Sequence, residues 1–201
     1  MHPVQYEAVY PERQNRLTTL IRIILAIPHF VLISFWGIAV FFVSIVAWFA
    51  ILFFGSFPEG MWGFCARFMN YYARVTAYTL LQVDPYPAFG SEPGEYPVTF
   101  SIERPERSSR PKTIFRLILA IPAYIVAYLL GFVIEVLAFI SWLWILITGS
   151  QVRGIHQFLA TCLRFDFRFF AYAMLVVDAY PNFSEGAVTG EEAPGLPIAN
   201  P

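Results

Sequence analysis

Few residues in this chain could do chemistry, and they are of two kinds. The first is a lone acid, Glu135, inside an otherwise uncharged apolar run. An acid in such a run is a functional hypothesis by default, as a proton relay or an ion partner. The second is a set that occurs twice: Arg22, Arg74 and Asp84 return as Arg116, Arg168 and Asp178, each displaced by 94 residues. Guanidinium groups beside a carboxylate have two uses. They can hold the phosphate of a lipid headgroup by charge-assisted hydrogen bonds, or form an ion-pair lattice and snorkel, tying one segment of the chain to another. The lattice is the expectation here. Glu135, whose counterpart is Phe41, is likewise expected to be structural.

The remaining reactive residue types do not assemble into a recognisable centre. His29 and His156 are lone histidines with Ala123 and Trp62 as counterparts, and Cys65 and Cys162 occupy non-equivalent places. Two thiols cannot make a four-ligand metal site, and both are expected to be buried and reduced. There is no His/Cys/Asp/Glu pattern with metal spacing, no glycine-rich phosphate loop and no serine nucleophile motif. Asp166 between Arg164 and Arg168 reads as a local charge arrangement. Trp36, Trp48, Trp62, Trp142 and Trp144 read as interface anchors rather than a cofactor cage. No cofactor or metal is expected, and the chain is not expected to be an enzyme.

The elements that must position these side chains are set by hydropathy. Ile23–Pro58 runs for 36 residues without a charge, and Leu117–Val152 repeats this with Glu135 as its single interruption. With 58% hydrophobic residues in 201 and a mean hydropathy of +0.59, a soluble core could not hide so much apolar surface. A net charge of −1 implies no nucleic-acid partner. The segment before the first run is polar and the run itself is too long for a signal-peptide core, so it is expected to stay in the mature protein.

A displacement of 94 residues aligns Val4–Phe89 with Val98–Phe183 without a gap, at thirty identities in 86 positions. Each unit opens with a period-2 stretch, Val4–Val9 and Val98–Ile102, expected as short strands that pair across the duplication. Each long run, helical from Leu17 to Phe54, would reach roughly 57 Å against a hydrocarbon core of about 30 Å. The expectation is therefore a hairpin of two helices over about 17–54 and 111–148, turning near Gly37 and Gly131, with Glu135 close to the far-side turn. All thirteen Arg and Lys lie away from those turns, so the hairpin puts every one on the cytoplasmic side. A third helix follows at about 61–83 and 155–177. It is amphipathic, with Arg67, Asn70 and Arg74 on one face and Arg164 four residues before Arg168, and suits either the membrane interface or a packed position. Each unit closes with Asp-X-Tyr-Pro-X-Phe, at Asp84–Phe89 and Asp178–Phe183, expected to end the helix. The units span 1–90 and 98–183, joined by a 91–97 linker and followed by an acidic, proline-rich tail at 184–201.

The motifs Arg-X-Ile-Leu-Ala-Ile-Pro, the Gly-Ser that ends each apolar run, the third-helix arginine and the terminal Asp-X-Tyr-Pro-X-Phe, in that order and twice over, resemble the bacterial family called domain of unknown function 4389. The resemblance implies an integral membrane protein of bacteria without an assigned activity. The whole reading is an all-α integral membrane protein: a tandem duplication of helical hairpin plus amphipathic interfacial helix, with short cytosolic β-strands. Its units are expected to be parallel, related by a two-fold axis along the membrane normal. The expected role is a non-catalytic structural or accessory subunit of the bacterial cytoplasmic membrane, multi-pass with both termini cytoplasmic, contacting membrane lipids and other integral membrane proteins or its own copies. Binding or transport of a lipid or small apolar molecule is the alternative.

Overall fold

The computed structural model describes residues 2–89 and 96–183; the proposed linker, but for its end, and the tail lie outside them. The chain is mostly helical. Its elements are β1 (Val4–Ala8), α1 (Arg16–Phe54), α2 (Glu59–Thr79), β2 (Val98–Ile102), α3 (Arg110–Thr148) and α4 (Arg153–Ala173).

The expected hairpins do not form. α1 and α3 are each single helices of 39 residues that run through Gly37 and Gly131, and through Pro28 and Pro122. One glycine costs a helix about 1 kcal/mol, whereas a turn there would strip several backbone groups of their partners. Both helices stop where a cap exists. Gly55 and Gly149 take the left-handed conformation at φ +76° and +78°, and each donates its N–H to the carbonyl four residues back. At the start of α1, Asn15 accepts from the N–H of Leu17 and Thr18, satisfying donors the helix leaves open. A Cβ at Gly149 would sit 3.2 Å from Arg16 Nε, against 3.6 Å for Gly55 and Arg110. Gly149→Ala is expected to cost about 1–2 kcal/mol, and more than Gly55→Ala, as read by thermal unfolding.

α2 and α4 end earlier than expected, at Thr79 and Ala173. There Leu81 and Leu175 adopt φ of +64° and +65°, and Gln82 N–H returns to Ala77 O at 2.8 Å, a Schellman-type closure made with leucine in place of glycine.

β1 and β2 pair antiparallel in the register Val4↔Ile102 to Ala8↔Val98. Moving every residue to its counterpart in the other unit maps this ladder onto itself, with Tyr6↔Phe100 at its centre. A pseudo-two-fold axis therefore pierces the sheet at that pair. The sheet rests on α2 and α4, α2 packs on α1, α4 packs on α3, and α1 meets α3. α1 and α3 are antiparallel, because the start of each touches the end of the other: Gln14 N–H donates to Gly149 O at 2.9 Å and Ser108 N–H to Gly55 O at 3.0 Å.

Candidate functional site

The four recurrent arginines among the six candidates, Arg22, Arg74, Arg116 and Arg168, are buried and Asp84 and Asp178 are partly buried, and the structure brings four of the six together in two copies of one arrangement. In the first unit Arg22, 1% exposed, reaches from α1 to the end of α2. Its Nη1 donates to Tyr78 O and Val83 O, both at 2.9 Å, and its Nη2 pairs with Asp84 at 2.8 Å. The guanidinium lies 4.6 Å over the Tyr78 ring. The Asp84 carboxylate also accepts from the N–H of Asn15 at 3.4 Å. In the second unit Arg116 donates to Tyr172 O and Val177 O, pairs with Asp178, and stacks at 4.6 Å over Tyr172; Asp178 accepts from Ser109 N–H at 2.6 Å.

The electrostatics are favourable at both helix ends. A cation satisfies the last carbonyls of α2 or α4, and an anion sits at the first N–H groups of α1 or α3, matching the sign of each helix dipole. The terminal motif completes the clasp. Tyr86 packs on Tyr78 and donates its hydroxyl to Leu25 O at 3.1 Å, while Phe89 stacks on His29 with centroids 4.4 Å apart. In the second unit Tyr180 packs on Tyr172 and Phe183 stacks on Phe165 at 4.4 Å. Asp-X-Tyr-Pro-X-Phe is thus a strap, whose rings pack on the first half of α1 in the first unit and on α4 in the second. His29, 0% exposed, accepts or donates at 2.5 Å to the Tyr71 hydroxyl, a partner that its apolar counterpart Ala123 does not need.

Arg168 does not join the clasp: it donates to Val4 O at 3.3 Å and to Asn182 O at 2.8 Å, beneath the sheet. Arg74 is buried in the equivalent place on α2. Next to them Asn70 donates to Phe100 O and Arg164 to Tyr6 O, so the same position of each unit caps the carbonyl at the sheet's centre. Arg164 and Arg168 of α4 accordingly hold the sheet. Glu135 stands exposed within α3, remote from any turn; the place expected for it does not exist.

Several residues read as lipid anchors have interior roles. Trp48 donates to Thr113 O and Trp142 to Thr19 O, each at 3.0 Å, stitching the long helices at both ends. Trp62 donates to Val176 O at 2.9 Å, and its counterpart His156 lies 3.0 Å from Gln82 O. Histidine replaces tryptophan here because both present a ring N–H, a correspondence visible in the repeat alignment. Trp36 packs among Phe64, Phe68 and Tyr71; Trp144 alone of the five is well exposed. Cys65 and Cys162 are free and buried, and burial pushes the Cys65 thiol up to about 11. Among the described residues no group of three or more His, Cys, Asp or Glu comes together.

Asp166 is less ordinary than its neighbours suggest. Burial pushes its carboxyl up to about 6, and it lies close enough to Tyr72, its own counterpart, to raise that phenol as well. The folded protein holds this proton more tightly than the unfolded chain, so the acid supports folding below its unfolded value near 4 and opposes it as pH rises through about 6. Asp166→Asn is expected to raise stability by about 3 kcal/mol at pH 7.5 and by well under about 1 kcal/mol near pH 4, measured as the thermal midpoint at each pH.

An apolar groove of about 600 Å³ opens between the second half of α1, the start of α3 and the end of α4, lined by Phe41, Ile45, Trp48, Leu117 and Met174, with Arg116 in its wall. It shares Phe41, Phe170 and Met174 with a second groove of about 530 Å³ under α2.

Duplicated helix pairs, each pinned by a buried Arg–Asp clasp and carrying one long apolar helix, define the class of protein. The chain belongs to the family described as domain of unknown function (DUF4389), whose model matches residues 16–91 and 110–185, one copy on each helix pair. No curated protein and no solved structure matches the chain.

Proposed function

We propose that the protein is a non-catalytic, membrane-embedded structural or accessory subunit, which packs against other integral membrane proteins or further copies of itself. The observation that carries this is the outer surface of α1 and α3. Large apolar side chains stand in the open along their whole length, from Leu17 to Phe54 and from Ile114 to Ile147, with Leu117 at 84% exposure. Both helices are long and apolar enough, by length and composition, to cross a membrane. A soluble monomer exposes apolar patches of at most a few hundred Å², whereas this surface covers two helices of about 58 Å. The polar side chains support the same reading, since Arg22, Asp84, Arg116 and Asp178 are engaged in holding the fold together. In a bacterium the site of action is the cytoplasmic membrane, with both termini in the cytoplasm.

A second reading, binding of a lipid tail or small apolar molecule, is favoured by the groove at Phe41 and Trp48. Its wall arginine is already committed to Asp178, so the groove suits a tail rather than a headgroup. Native mass spectrometry of the protein, extracted gently from its own membrane, separates the two. Stable assemblies with other polypeptides or with itself are the expected result. A monomer that retains one defined lipid or small-molecule mass would replace the first reading by the second.

A further inference from the structure

We infer that α1 and α3 lie in the plane of the membrane, as an apolar floor sunk into one leaflet, with the pseudo-two-fold axis along the bilayer normal. This rests on the membrane-embedded reading above and specifies its geometry.

Length is the first argument. A helix of 39 residues measures about 58 Å, and fitting it across a hydrocarbon core of about 30 Å requires a tilt of about 60°. Spanning helices tilt by roughly 0–40°. The symmetry is the second. Because α1 and α3 are antiparallel, a spanning pair would place the axis relating them in the plane of the bilayer, at its middle. That same axis pierces the sheet at Tyr6↔Phe100. Spanning therefore carries to the depth of the acyl tails a two-stranded sheet whose edges no further strand pairs and whose outward carbonyls at Val4, Tyr6 and Phe100 are met only by the polar side chains of Arg168, Arg164 and Asn70, together with Glu7. Open sheet edges do not occur in contact with lipid tails, and each charge at the bilayer centre costs about 2.5–3.5 kcal/mol even on the milder scale.

Laying the helices flat removes both conflicts. The sheet is in water, α2 and α4 are at headgroup depth, and α1 and α3 are among the tails. A helix with side chains is about 10–12 Å across, which fits the roughly 15 Å of one leaflet's half of the core. The charges agree. Arg13, Arg16 and Arg153 cluster at one end of the helix pair and Arg107, Arg110 and Lys112 at the other, all exposed. The axis relates Arg13 to Arg107 and Arg16 to Arg110, so these pairs stand at the same height, where both ends meet lipid phosphates of the same leaflet. Glu135 is on the floor in either orientation and does not discriminate.

Glu12 and Glu106 are exposed and mark opposite ends of the pair, so cysteine at each gives the test. The full chain carrying Glu12→Cys or Glu106→Cys is made in a bacterial host and treated with a membrane-impermeant maleimide, in intact cells and in inverted vesicles; the parent, with Cys65 and Cys162 buried, is the control. Labelling of both sites from one and the same side is expected. Labelling from opposite sides overturns the flat orientation and leaves the embedded reading intact, whereas recovery of the protein in the soluble fraction overturns both. Oriented circular dichroism of the unmodified protein in aligned phospholipid bilayers is an independent check: the spectrum of helices lying in the plane is expected, and that of helices along the normal would refute the orientation.

Discussion

Replacing Arg22 by methionine destabilises the protein by about 3–5 kcal/mol. The substitution keeps an unbranched apolar stem and removes only the guanidinium, so the loss measures the clasp rather than a cavity. Asp84 is left as an uncompensated charge, and Tyr78 O and Val83 O lose the donor that served both. Arg116→Met is expected to cost a similar amount, because the second clasp has the same four contacts. Asp84→Asn costs less than Arg22→Met: an amide still accepts from Arg22, and no bare anion remains. A double-mutant cycle of Arg22→Met with Asp84→Asn isolates the pair, with a coupling of about 1–3 kcal/mol. Detergent-solubilised protein followed by circular dichroism on heating reads all of these. A loss below about 1 kcal/mol for Arg22→Met would mean that the pair behaves as an exposed surface ion pair and does not hold the helices together.

The other large effect is at the centre of symmetry. Phe167, 0% exposed, lies beneath the sheet with centroids 4.9 Å from Tyr6, 5.5 Å from Phe100 and 6.0 Å from Tyr72. Its counterpart is Ala73, also 0% exposed, so one ring fills a space that the axis would allow either unit to fill. Phe167→Ala is expected to cost about 3–5 kcal/mol through the cavity it leaves. Ala73→Phe alone overpacks the same region, at about 1–3 kcal/mol. Together they should be markedly less destructive than the sum, with the ring supplied from the opposite side, which a cycle of thermal midpoints measures directly. Strict additivity would show that the two positions do not share one space.

The elements and their duplication were legible because the signals are local and repeated. The period-2 stretches, the apolar runs and the amphipathic third helices all exist, and the strands pair across the duplication as their alternation implied. The turn at Gly37 was not legible correctly. The absence of charge from the middle of each run fits a membrane crossing with a far-side loop and a straight apolar helix equally well, and only the left-handed caps at Gly55 and Gly149 show where the helices end. For the site, the recurrence of Arg22, Asp84, Arg116 and Asp178 pointed to the residues but not to their wiring. Two of Arg22's acceptors are backbone carbonyls, and carbonyls leave no mark in the sequence. Arg168 recurs just as strictly, and only the path of β1 over α4 separates its work from the clasp. Trp48 and Trp142 were visible as repeated positions, but an indole N–H aimed at a carbonyl on the other long helix looks identical, in sequence, to one aimed at a headgroup.

Immersion of the outer faces of α1 and α3 in lipid is tested most directly by membrane retention under alkaline carbonate. Membranes carrying the full-length protein are washed with sodium carbonate at high pH, which strips proteins held by charge or by partners, and the pellet and supernatant are probed for the chain. Complete retention in the pellet, reversed only by detergent, is the expected result. Release into the supernatant without detergent would contradict the account, and would mean that another protein surface covers these two helices.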